Sequence, residues 1–212
     1  MVKTAILVSG GGTTLQAIMD AHLFGDIHNC ELTAIISSSP DAYAVSRAGF
    51  ANRPVYVIDR NIFPNSHSFS EALLKKLFDL DIQLAVLAGF DQVLEPNLYE
   101  DFRGRVMSVY PSLLPSFYTG EVPTRYVQEE VLRFGCKVTG ATVYFSEGSS
   151  APGPVIMQKA IPVLPEDTAD SLQQRILEEG ECAMLPKAID LYCSGLLKIE
   201  GRSVTVLTPA AE

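Results

Sequence analysis

The chain has 212 residues, 47% of them hydrophobic and 19% charged, proportions that fit one soluble globular domain and exclude an intrinsically disordered chain. A formal net charge of −9 removes long-range attraction to nucleic-acid phosphates, and no run approaches the roughly 18 consecutive apolar residues of a membrane span. Neither a nucleic acid nor a membrane is therefore expected as a partner, and Met1-Val2-Lys3, which leads straight into a short apolar run without a signal-type cleavage site, points to a cytoplasmic location.

In chain order, Lys3 to Ser9 is an apolar, β-favouring run that stops at Gly10-Gly11-Gly12, after which Thr13 to Met19 takes up helical spacing: strand, glycine loop, helix. Cys30 to Ser37 repeats the strand pattern, Tyr43 to Ala51 reads as a short helix, and Val55 to Ile58 as a third strand. Ser70 to Leu80 is an amphipathic helix, Leu84 to Ala88 a fully apolar strand, Pro96 to Phe102 a helical turn, and Val106 to Tyr110 a fifth strand. This alternation predicts an α/β fold, a mostly parallel twisted sheet with helices on both faces.

After Tyr110 the pattern changes. Pro111-Ser112-Leu113-Leu114-Pro115 is a constrained turn, followed by an aromatic loop from Phe117 to Pro123 and a helix ending near Gly135. Strand-like runs at Lys137 to Phe145 and Val155 to Leu164 flank the small-residue stretch Glu147 to Gly153. A long helical pattern runs from Ala169 to about Ser194, with Pro186 predicting a kink or break. Leu197 to Leu207 reads as a carboxyl-terminal hairpin around Glu200-Gly201-Arg202. With no repeat, low-complexity tract or linker, residues 1–212 are expected to form a single domain.

Cys30, Cys136, Cys182 and Cys193 are scattered, without metal-ligand spacing, and read as core thiols; no metal is expected. His22, His28 and His67 all lie in the first third, so the rest of the chain has no imidazole for acid-base chemistry. The loop Gly10 to Thr14 sits where bare backbone N–H groups and a helix start can hold a phosphate, although a plain tight turn would have the same residues. It is not a Walker loop, since no Gly-Lys-Ser/Thr follows, and Leu15 occupies the third glycine position of the dinucleotide fingerprint. The Pro111 to Pro115 turn ends the fifth strand at its carboxyl edge, where open parallel sheets place ligands.

The segments Leu7 to Ile18, Val86-Leu87-Ala88-Gly89-Phe90, Pro111 to Pro115, Lys137 to Phe145 and Gly153 to Ala160, in that order, resemble the glycinamide ribonucleotide (phosphoribosylglycinamide) formyltransferase family over nearly the whole chain. Pro-Ser-Leu-Leu-Pro alone is shared with methionyl-tRNA formyltransferase, which carries a further carboxyl-terminal domain for which this chain offers no residues. The resemblance implies a formyltransferase fold, with residues 1–110 as a nucleotide-binding half and 111–212 as a folate and catalytic half. It also implies purine-biosynthesis ancestry, a phosphoribosyl ligand, no bound cofactor, and 10-formyltetrahydrofolate as the cosubstrate whose formyl carbon is attacked by the glycinamide amine.

Site residues follow from the same resemblance. Gly11, Gly12, Thr13 and Thr14 match the phosphate loop, with Thr14 where Asn is usual, and Glu181 aligns with the carboxylate that grips the ribose hydroxyls. The family's catalytic positions are substituted: Ser108 stands for the Asn and Tyr110 for the His of the oxyanion site, and Ala151 for the proton-managing Asp. On the cosubstrate side Gln92, Val93, Leu94 and Glu147 take the matching positions, with Gln92 and Ser66 where arginines are expected and Gln128 where a His opens its helix. Ser108 and Tyr110 keep O–H donors but do not accept a proton readily near pH 7, and Ala151 has no proton-handling group. A lost acid or base typically costs about 10² to 10⁴ in rate and a lost oxyanion donor about 10² to 10³. Glu147 is the one nearby carboxylate, read as a solvated loop residue with proton transfer as the competing role. The expectation is a phosphoribosyl-binding pseudoenzyme, impaired or inactive in formyl transfer and weak for folates; the alternative is an active transferase with a rearranged site.

Overall fold

A computed structural model of the protein describes residues 1–118, 124–148 and 152–208. Its first half alternates as expected: β1 (Val2–Val8), α1 (Thr13–Phe24), β2 (Cys30–Ser37), α2 (Tyr43–Phe50), β3 (Val55–Val57), α3 (Ser66–Asp79), β4 (Leu84–Leu87), α4 (Pro96–Asp101) and β5 (Val106–Tyr110). There follow α5 (Thr124–Arg133), β6 (Val138–Ser146), β7 (Pro152–Pro162), α6 (Ala169–Arg175), α7 (Cys182–Cys193), β8 (Leu197–Glu200) and β9 (Ser203–Val206).

All nine strands join one sheet in the order β3-β2-β1-β4-β5-β6-β7-β9-β8. From β3 to β5 every neighbour is parallel, whereas β6 and β7 run antiparallel to their predecessors. The hairpin β8–β9 joins through the parallel pair Val155 and Ser203. Two-residue periodicity divides the core. Ile6 and Val8 of β1 face Leu15, Ile18, Ala44 and Leu185 from α1, α2 and α7, while Ala5 and Leu7 face Phe69, Leu73, Leu98 and Phe102 from α3 and α4. Burial on both faces is why residues 5–8 of β1 and all of β4 read as unbroken apolar runs.

Three elements differ from the sequence reading, among them β7, which begins at Pro152 instead of Val155 and ends at Pro162 instead of Leu164. α3 starts four residues before Ser70, because Asn65 caps it by accepting from the Ser68 N–H at 2.9 Å. The long carboxyl-terminal helix does not break at Pro186, which lies buried inside α7; the irregularity is a π segment, Ile176–Glu181, between α6 and α7. A proline removes the N–H bond to, and crowds, the carbonyl four residues back, here Cys182, where the wide π turns give way to α-helix. Gly180 allows this segment to lie on β6, since a Cβ there would stand 2.8 Å from the Ala141 Cβ.

Candidate functional site

The chain goes from β1 to β2 and β3 on one side, then crosses to β4 on the other, so the connections leaving β1 and β4 part at their carboxyl ends. Such a switch point is where open α/β sheets bind ligands. It is laced by Ser9: its N–H donates to the Gly89 carbonyl (3.0 Å), and its Oγ accepts from Ser38 Oγ (2.7 Å) and from the Asp91 N–H (3.1 Å).

The glycine loop lies over this opening. Gly12 has φ 72°, a left-handed conformation at the start of α1, and a Cβ there would meet the Ala44 Cβ at 2.8 Å. α2 engages the loop's carbonyls: Ala44 N–H donates to Gly10 (3.0 Å) and Arg47 Nε to Gly11 (2.8 Å). With those oxygens held toward α2, the first N–H groups of α1, which have no partner within the helix, remain for an anion. Thr13 is exposed beside them, while Thr14 is buried and its hydroxyl acts on the nearby Cys182 thiol.

The packing of α7 on α1 brings Glu181, the residue before Cys182, to this side of the molecule from 167 positions away in sequence (181 minus 14). The Glu181 side chain is buried and meets no hydrogen-bond donor among the described residues, and burial pushes its carboxyl up to about 7. The same burial raises the Cys182 thiol, against the effect of the Thr14 hydroxyl and with the Glu181 charge adding to it. A buried carboxyl with no partner among the described residues, next in sequence to a residue that lies near Thr14, is an acceptor suited to donors such as sugar hydroxyls.

At the end of β5, Ser108 is half-buried, opposite Tyr144 of β6 and beside Leu87 of β4. Tyr110 is two residues on, and its O–H donates to the Phe117 carbonyl at 3.0 Å, with its ring 5.1 Å from that of Tyr118. Its donor is thus spent on the chain, so of the two O–H groups expected at this edge only the Ser108 hydroxyl is without that commitment. The Pro111 to Ser116 turn is bolted to the antiparallel strands. Thr142 Oγ1 donates to the Ser112 carbonyl (2.7 Å) and accepts from the Leu114 N–H (3.0 Å), while Gln158 Nε2 reaches the Leu114 carbonyl (3.0 Å). Gln128, fully buried, donates Nε2 to the Pro111 carbonyl at 2.8 Å and so acts as a brace for this turn.

Gln92 donates to the Asp91 carboxylate, Val93 is exposed, and Leu94 is buried in the core beneath α3 and α4. Leu94 therefore presents no side chain to a ligand. Ser66 Oγ donates to Glu95 (2.6 Å), and Glu147 is exposed, with its Cγ where a Cβ on Gly153 would come within 2.9 Å. Ala151 and the loop residues Thr119 to Pro123 lie outside the described residues. Cys182, Arg47 and Ser9 are the site residues that sequence reasoning missed; Arg47 and Cys182 had no local signal, whereas Ser9 directly precedes the glycines.

A parallel sheet split beside a glycine loop and extended by antiparallel strands after a Pro-Ser-Leu-Leu-Pro turn defines a class of transferase: residues 2–189 match the Formyl transferase family, and the chain belongs to it. Within the family the chain is 33% identical over 200 residues to the phosphoribosylglycinamide formyltransferase of Haemophilus influenzae, covering 94% of this chain and 91% of that protein. The crystal structure of glycinamide ribonucleotide transformylase 1 from Symbiobacterium toebii is similar at a TM-score of 0.90 and 37% identity, covering 98% of this chain and 95% of that one. The chain is also 34% identical over 195 residues to the trifunctional purine biosynthetic protein adenosine-3 of Drosophila melanogaster, matching 91% of its own length but spanning only 14% of that longer protein.

Proposed function

We infer that the protein binds a phosphoribosyl compound at the switch point and is impaired or inactive in formyl transfer from 10-formyltetrahydrofolate. The phosphate goes to the N–H groups of Gly11 to Thr14, and the ribose hydroxyls donate to Glu181. Residues 1–110 thus supply the phosphate loop and, at the end of β5, the substituted positions Ser108 and Tyr110, and residues 111–212 supply the ribose carboxylate and Ala151. The observation that carries the second half of the reading is the Tyr110 hydroxyl, already donated to the Phe117 carbonyl. With Ser108 as the one remaining donor and Ala151 lacking any acid or base, oxyanion stabilisation and proton transfer both fail.

Two measurements test this. Calorimetric titration with ribose 5-phosphate should show binding that Thr13→Asp abolishes, because the added carboxylate enters the anion cradle; equal affinity in the two proteins would sink the assignment. Formyl transfer to glycinamide ribonucleotide should be undetectable or nearly so. Turnover at an ordinary enzymatic rate, about 1 to 10³ per second, would instead establish an active transferase with a rearranged site.

A further inference from the structure

At the opposite, amino-terminal edge of the sheet, two thiols that the site does not use lie together. Cys30 opens β2 and Cys193 ends α7. The Cys30 thiol donates to Thr4 Oγ1 at 3.4 Å and Cys193 Sγ lies 3.9 Å from the same oxygen, so the two thiols converge on one hydroxyl. All three residues are buried, with Thr4 fully enclosed. Around them, Arg53 and Glu31 act on Cys30 and Asp190 on Cys193, while His22 Nε2 sits 3.3 Å from the Cys30 carbonyl and Arg53 Nη2 3.2 Å from His22 Nδ1. The neighbouring Cys193 thiol lowers Cys30 to about 7 despite burial, with Arg53 acting in the same direction, while Cys30 and burial push Cys193 up. With the Arg53 guanidinium acting on Cys30 and the Asp190 carboxylate on Cys193, Cys30 is the sulfur whose thiolate is favoured and Cys193 the one that keeps its proton, the division of labour that a reacting and a resolving thiol need.

We propose that Cys30 and Cys193 are a redox-modification site, a dithiol that a hydroperoxide closes into a disulfide tying the start of β2 to the end of α7. The Cys30 thiolate attacks hydrogen peroxide, the O–O bond breaks, water leaves after protonation, and Cys30 becomes a sulfenic acid. Cys193 then gives up its proton and attacks the Cys30 sulfur, the S–O bond breaks, and a second water leaves. Two thiols are oxidised by two electrons and one peroxide is reduced to two waters; a dithiol reductant reverses the change. Access comes from the end of α7, since Cys193 is followed by Ser194 and the left-handed Gly195 (φ 69°), and helix ends open locally at low cost. The bond would also anchor the helix whose other end holds Cys182 against Thr14.

The test uses the full chain with hydrogen peroxide, followed by alkylation, intact mass and peptide mapping. The expected product has lost about 2 Da and two of the four free thiols, carries a Cys30–Cys193 crosslink that dithiothreitol removes, and melts on the order of 10 °C higher. Cys193→Ala, which lacks the resolving thiol, should stop at a dimedone-reactive sulfenic acid on Cys30 without the gain in melting temperature. Should that core substitution prevent folding, the mapping on the unaltered protein decides alone. Retention of all four thiols, or crosslinking that engages Cys136 or Cys182 instead, overturns the proposal.

Discussion

Replacing Glu181 by Gln should make the protein more stable above neutral pH and leave it little changed in mild acid. Burial raises the Glu181 carboxyl from 4.5 to about 7, whereas in the unfolded chain it ionises at its ordinary value. Below that ordinary value the group is protonated in both states and costs nothing. As the pH climbs between the two values, the unfolded chain loses the proton first and folding must return it, at about 1.4 kcal/mol for each pH step. Stability present in acid is therefore lost as pH rises through the folded value, reaching about 3 kcal/mol near pH 8, or roughly 6–12 °C in melting temperature for a chain of this size. The amide of the Glu181→Gln variant cannot ionise, so its stability should lack this decline. Urea unfolding of both proteins at pH 5, 6, 7 and 8 measures the difference, and pH profiles that stay parallel would refute the reasoning. The same carboxyl should release a proton when a ribose ligand supplies donors, visible below pH 7 as buffer-dependent binding heat that Glu181→Gln lacks.

Two further changes test the scaffold beneath the site. Gly12→Ala places a Cβ 2.8 Å from the Ala44 Cβ at φ 72° and should cost about 2–4 kcal/mol in chemical denaturation; an unchanged midpoint would show that the loop is not held against α2. Thr142→Val strands the buried Leu114 N–H and Ser112 carbonyl and should cost about 2–4 kcal/mol, with a loss under about 0.5 kcal/mol showing that the turn is not braced there.

The sheet and its helices were legible because β1, β2, β4 and β5 are short apolar runs separated by helical spacing, a pattern set locally. The start of α3 was harder, since Ser66-His67-Ser68 has no apolar period and its signal is the Asn65 cap rather than hydrophobicity. The place of the hairpin beside β7 depends on pairing between distant strands, which no local pattern encodes. In the site, the glycine loop announced itself, but Glu181 comes to its side of the molecule only once α7 lies on α1. The burial of the Leu94 side chain in the core under α3 and α4 was not encoded by the local pattern around it either. The commitment of the Tyr110 hydroxyl to Phe117 likewise requires the fold of the turn between them.

The π segment has a geometric consequence for the whole carboxyl-terminal rod. Leu172 and Ala188 both reach the same core, although they are 16 residues apart (188 minus 172). At about 100° per residue, an uninterrupted α-helix would leave them roughly 160° out of phase, on nearly opposite sides. A wide turn absorbs one residue and reduces the mismatch to about 60°, so α6 and α7 behave as one rod with an angular correction built into it. The correction falls on Ile176 to Glu181, and the azimuth at which the Glu181 carboxylate leaves the helix is consequently set by that phase slip. Removing either exposed residue within it, Glu178 or Glu179, would let the rod run as continuous α-helix with both apolar faces still directed inward. Adding a residue would turn one of the two faces toward solvent.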